Sequence, residues 1–171
     1  QSMNCKIDDC ITFQLATNDG IELPAGNYNF STEAFTIELW LNPFSWTSAI
    51  NYQVIDSGMV NVAGYQLRVD TAVTNGLRFA TSQSGANQLT DSVANALTLN
   101  SWNHVAVVRN GSKVAFYVNG VNVTGSAGSH TNPAATVNRT VIGADGIYAA
   151  GASLNGSIDE VGIYSYAKSA D

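Results

Sequence analysis

Between residues 103 and 124 the chain reads NHVAVVRNGSKVAFYVNGVNVT, three short alternating runs joined by Asn110-Gly111 and Asn119-Gly120. Asn-Gly supplies two positive φ values at the least steric cost, and a tight turn between twisted antiparallel strands needs them. The stretch therefore predicts a β-meander. Alternation puts Val105, Val107, Val114, Phe116 and Val118 on one face and Ala106, Val108, Ala115 and Tyr117 on the other, and the first set is the apolar one that must be buried.

Similar signals recur about every 8–12 residues, the spacing of a sandwich or barrel, and helical periodicity is absent. They lie in ITFQL (11–15), GIELP (20–24), FTIELWLNP, YQVIDSG, GYQLRVD, GLRFATS, VNRTVIG and LNGSIDEVGIYSYA. In FTIELWLNP the apolar Phe35, Ile37, Leu39 and Leu41 alternate with Thr36, Glu38, Trp40 and Asn42, and Pro43 ends the run because it lacks a backbone donor. A third Asn-Gly pair, Asn75-Gly76, separates GYQLRVD from GLRFATS. About eleven strands exceed a small immunoglobulin-type sandwich, so an all-β, two-sheet antiparallel jelly-roll sandwich is expected, with little helix and with the first and last strands adjacent. The polar loops 44–51, 125–136 and 144–151 are expected at its rims. At 171 residues the chain suits one domain that buries roughly two-thirds of its unfolded surface. Residues 1–3, Gln1-Ser2-Met3, are expected to be an expression-tag remnant, and 4–171 a single domain excised from a larger protein.

Charged residues make up only 12% of the chain and the formal net charge is −6, so Asn, Ser, Thr and Gly carry the polar surface. Nucleic acid and anionic membrane both demand clustered basic side chains, and the sequence has no such cluster. No apolar run approaches the ~20 residues of a membrane helix. The two cysteines, Cys5 and Cys10, stand at C-x4-C spacing; they read either as a short disulfide loop, in keeping with an extracellular setting, or as two free thiols. Zinc is disfavoured because the only histidines, His104 and His130, lie far away in sequence. Five N-x-S/T sequons, at Asn29, Asn110, Asn122, Asn138 and Asn155, would carry glycans only in a eukaryotic secretory host.

Taken in order, NDGIELP, FTIELWLNP, GYQLRV, LRF, SWNHVAVVRNGSKVAFYVNGV, VIGAD and LNGSIDEVGIYSYAKS resemble the laminin-G-like jelly-roll branch of the concanavalin A-like lectin/glucanase superfamily, over about 11–169. The resemblance implies a module of a secreted or surface protein that binds a glycan or a cell-surface protein and is joined to the rest of a parent polypeptide. The alternative is a structural or adhesive protein-interaction module of a surface adhesin or a virion. It also implies structural calcium where the first and last strands meet, at Asp19 of N-D-G-I-E-L-P and Asp159 of G-S-I-D-E-V, since calcium takes six to eight oxygens from carboxylates and carbonyls. The other reading of these aspartates is plain hydrogen-bond acceptance at turns and strand ends.

Catalysis finds no support in the sequence. The superfamily's glucanases carry an acidic cluster along one strand, and this chain has none. Glycoside hydrolysis needs two carboxyls across one bond, whereas Asp159 and Glu160 are adjacent and point to opposite faces of a strand. Glu38 stands alone in its strand, His104 is expected to pack and hydrogen-bond, and His130 has no acid near it in sequence. Sugar binding rests instead on aromatic rings that stack on C–H faces, beside planar polar groups. Trp46, Tyr52 and Tyr148 in or beside loops, with Arg68 and Arg78 projecting from adjacent strands, are the candidate ligand contacts, while Trp40 and Trp102 are expected to pack.

Overall fold

A computed structural model describes residues 5–17, 19–24, 28, 30, 34–59, 63–83, 85–130, 135–136, 139–146 and 152–169. Tyr148, the sequons at Asn29 and Asn138, and residues 1–3 lie outside them. Among the described residues twelve strands form two sheets of six. Sheet A runs β1 (Ile11–Phe13), β12 (Gly156–Tyr164), β3 (Phe35–Pro43), β8 (Asn103–Asn110), β9 (Lys113–Val118) and β10 (Val121–Asn122). Sheet B runs β2 (Ile21–Leu23), β11 (Thr140–Ile142), β4 (Tyr52–Met59), β5 (Ala63–Val69), β6 (Leu77–Gln83) and β7 (Ala86–Asp91). Every pairing is antiparallel, and β1 pairs β12 with Ile11 opposite Ile158, so the first and last strands are neighbours.

Strand alternation sets the core between the sheets. Phe35, Ile37, Leu39 and Leu41 of β3, Val105 and Val107 of β8, and Phe116 of β9 are fully buried and meet Tyr65, Leu67, Val69, Leu77 and Phe79 of sheet B. The meander's strands pair as the sequence predicts, Val107 opposite Phe116 and Ala106 opposite Tyr117, but its first turn is Gly111-Ser112. Asn110 pairs with Lys113 as the last residue of β8, and only Gly111 (φ 60°) of the Asn110-Gly111 pair has positive φ. Its second turn has both Asn119 (φ 51°) and Gly120 (φ 79°) in the left-handed region. The β5–β6 connection differs from a two-residue Asn-Gly hairpin: Asn75 alone of that pair has positive φ, and 70–76 turns through backbone bonds from Val73 to Asp70 and from Gly76 to Val73. Gly76 is required there for space, since a Cβ would stand 2.2 Å from Val73 Cγ1.

Two irregularities bear on the surfaces. In β4 a bulge at Val54 sets Gln53 opposite Arg68 and Asp56 opposite Gln66, so residues three apart share the outer face of sheet B. In β12 the register shifts between Asp159 and Gly162, with Glu160 at φ 50° and exposed while Asp159 is buried. A disulfide joins Cys5 to Cys10.

Candidate functional site: a groove on the outer face of sheet A

The face of β3, β8 and β9 that turns away from the core carries Thr36, Glu38, Ala106, Val108, His104 and Tyr117, fixed there by the same alternation that buries their neighbours. These side chains, with Gly120, Lys168 and Ser169, line a groove of about 200 Å³. Ala106, Val108 and the Tyr117 ring give it apolar surface; Glu38, His104 and Lys168 give it polar groups. The segment after β12 closes one side: the Lys168 N–H donates to Thr36 Oγ1, whose hydroxyl donates to the Tyr166 carbonyl (both 2.9 Å).

Glu38 is the hub of the polar wall. Its Oε1 accepts from Lys168 Nζ at 2.7 Å and from the Tyr164 hydroxyl at 2.9 Å. Burial opposes its charge, but the two donors and the nearby cations outweigh that, and its pKa lies below the usual carboxylate value. Lys168 Nζ also sits 4.2 Å from the centre of the Tyr164 ring. Further along the same face Trp40 meets His104 edge-on with ring centres 5.1 Å apart, and Lys6 Nζ lies 4.2 Å over the Trp40 ring. Trp40 thus packs on the outside of the sheet, not in the core.

The residues expected from sequence to hold a ligand are placed elsewhere. Tyr52 is 2% exposed and faces the core opposite Val69, which corrects its assignment as a ligand contact: it begins a strand and takes that strand's inward phase. Trp46, Arg68 and Arg78 are brought together, but around Asp70. Trp46 Nε1 donates to the Asp70 carbonyl (2.9 Å), Arg68 Nε pairs with Asp70 Oδ2 (2.5 Å), and Arg78 Nη1 pairs with Asp70 Oδ1 (3.1 Å). Arg78 also holds Asp91 through Nε and Nη2 at 2.6 and 2.8 Å. Held by Asp70, Asp91 and the Gln66 side-chain oxygen, the two arginines clamp the rim of sheet B.

Asp159 Oδ2 accepts the backbone N–H groups of Lys6 (3.1 Å) and Ile7 (2.8 Å), tying the disulfide loop to β12. Asp19 is exposed on the approach to β2, in the opposite sheet. Among the described residues no three His, Cys, Asp or Glu side chains gather as a metal cluster. No helix of the described residues is long and apolar enough to cross a membrane.

Solved structures share the fold. Domain 4 of AbnA, a GH43 extracellular arabinanase from Geobacillus stearothermophilus in complex with arabinotriose, superposes with TM-score 0.69 at 19% identity, over 98% of this chain and 76% of that one. Domains LG4-5 of the mouse laminin alpha1 chain give 0.68 at 15% identity, over 99% and 47%. A botulinum neurotoxin type C structure, concerned with that toxin's use of two ganglioside molecules to enter cells, gives 0.59 at 20%, over 84% and 35%. The chain thus spans less than half of the latter two. No curated protein sequence matches it. Residues 15–171, nearly the whole chain, match the laminin-G-like family Laminin_G_3, and the chain belongs to this family of the concanavalin A-like lectin/glucanase superfamily.

Proposed function

We propose that this domain is a non-catalytic carbohydrate-binding module of an extracellular or cell-surface protein, and that the glycan lies in the groove on the outer face of sheet A. The observation that carries the proposal is the groove's composition: the Tyr117 ring beside small apolar Ala106 and Val108, flanked by Glu38, His104 and Lys168. A pyranose or furanose offers that combination C–H faces to stack and hydroxyls to share with carboxylate, imidazole and ammonium. Arabinotriose in the AbnA domain and gangliosides in the toxin support a sugar as ligand. Glu38 is the one carboxylate among the described residues that line the groove, so the second carboxyl that hydrolysis requires has no candidate there. Covalent attachment to a larger polypeptide, which would deliver the module to its glycan, belongs to the same proposal.

The test is a glycan array followed by calorimetry on the best binder. Tyr117→Ala is expected to weaken binding at least tenfold and Glu38→Gln severalfold, with unchanged melting curves. Both variants binding like the parent would move the site away from this groove.

A second reading, an adhesive module whose partner is a protein, is favoured by one observation. Ile7 and Ile11, 46% and 48% exposed, lie at the disulfide loop, where Ile11 and Val161 line a groove with Phe13, Ile21 and Ile158 that Asp9, Asp159 and Glu160 border. Loss of cell or virion attachment on Ile11→Ser, with glycan binding intact, would select it.

A further inference from the structure

The outer face of sheet B holds two buried side-chain oxygens that no described residue satisfies. Gln53 and Asp56 are 6% and 2% exposed, and Gln53 Oε1 and Asp56 Oδ1 have no hydrogen-bond partner. The bulge at Val54 is what places them side by side: they stand opposite Arg68 and Gln66, consecutive outward residues of β5. The rest of each residue is firmly held. Asp56 Oδ2 accepts from Gln66 Nε2 and from the Gly146 N–H, both at 3.1 Å, and the Gln53 N–H donates to the Ala152 carbonyl at 3.1 Å. Described residues on both sides of 147–151 are thus bonded to the two residues whose oxygens are unmatched.

Neither oxygen can satisfy the other, because an amide carbonyl and an ionised carboxylate both only accept. The neighbourhood supplies little positive charge. The Arg68 guanidinium is committed to Asp70 and to Gln66 Oε1, while Asp145 adds negative charge from the β11 side. Oxygen donors of this kind, carboxylate and amide carbonyl, suit a hard cation.

We propose that Gln53 Oε1 and Asp56 Oδ1 are two ligands of a calcium-class divalent cation bound on the outer face of sheet B beside Gly146 and Ala152, with Asp145 contributing to its charge balance. The site is separate from Asp159, which belongs to β12 in the other sheet. Bound there, the ion would take over the role of the missing donors.

The experiment uses the whole chain in the Asp159→Asn background, which removes the charge of the other calcium proposal, stripped with EDTA and titrated with calcium at pH 7.5 by calorimetry. One calcium is expected to bind, and adding Asp56→Asn is expected to weaken it at least tenfold. Asp56→Asn conserves shape and offers an amide donor toward Gln53, so it is expected to fold, as its melting curve will verify. Absence of calcium binding at millimolar concentration would overturn the proposal. So would equal affinity with and without Asp56→Asn. An Asp56 carboxyl that titrates near 6 by carbon NMR, unmoved by calcium, would mean that a proton shared with Gln53 fills the gap instead.

Discussion

His130 and Asp56 are two buried titratable residues whose preferences oppose each other. His130 is fully buried, with Thr81 Oγ1 2.9 Å from Nδ1 and Thr90 Oγ1 2.8 Å from Nε2, a pocket that fits a neutral ring donating once and accepting once. Burial first, then the charge of Arg109, lowers its pKa from 6.5 to about 4. The unfolded state therefore takes up the proton first, so His130's contribution is complete above about 6.5 and is lost as pH falls through about 4, on the order of 3 kcal/mol. Asp56, raised from 3.8 to about 6, works the other way: the folded state protonates first, and its contribution is present below about 3.8 and lost as pH rises through about 6. In EDTA the parent's melting temperature is expected to change little between pH 4 and 6.5 on account of these two groups. Asp56→Asn should unmask the acid loss due to His130, and His130→Asn should leave a gain on acidification. Parallel pH profiles for parent and both variants would contradict the opposition.

At the scale of strands, the buried face of the meander predicts a large cost for truncation. Phe116 is 0% exposed, opposite Val107 and inside the core, so Phe116→Ala is expected to lose about 3–5 kcal/mol in a denaturant titration. A loss near zero would mean that the ring is not enclosed and that the other face of the meander is the buried one. Strand identity was legible because period-two alternation and Asn-Gly turns are local signals, and β3, β8 and β9 follow them residue by residue. The candidate site was less legible for the same reason. Alternation told that Ala106, Val108 and Tyr117 face outward, but not that Glu38 and His104 border them on paired strands or that Lys168 folds back from beyond β12. Register between distant segments decides that. Likewise Arg68 and Arg78 were correctly read as outward and cross-strand partners, yet Asp70 and Asp91, which consume their donors, enter through the β5–β6 turn and β7 pairing. The bulge at Val54 leaves no mark in YQVIDSG, so the juxtaposition of Gln53 and Asp56 had no sequence signal.

Across the whole molecule, the seam where β1 meets β12 joins the described chain's beginning to its end, and Asp159 is its polar fastener. Two contributions can reside in that one carboxylate, and they separate by measurement. As an acceptor it satisfies the Lys6 and Ile7 N–H groups, and Asp159→Ala leaves both without that partner, a loss of about 1–3 kcal/mol that persists in EDTA. As a calcium ligand together with Asp19, as proposed from the family resemblance, it adds a term that exists only with metal: about 2.7 kcal/mol when free calcium exceeds its Kd a hundredfold, or several degrees in Tm. The expected pattern is a parent that melts several degrees lower in EDTA. Asp56→Asn, which removes the carboxylate of the other proposed cation site, should retain that EDTA shift. Asp159→Ala in the Asp56→Asn background should lose it, while Asp159→Ala alone should keep only the share that belongs to the Asp56 site and stay below the parent in both buffers. If EDTA leaves Asp56→Asn unmoved and Asp159→Ala, added to that background, costs the same with and without calcium, Asp159 serves the N-terminal loop alone, and the seam is closed by hydrogen bonds and the β1–β12 ladder without an ion.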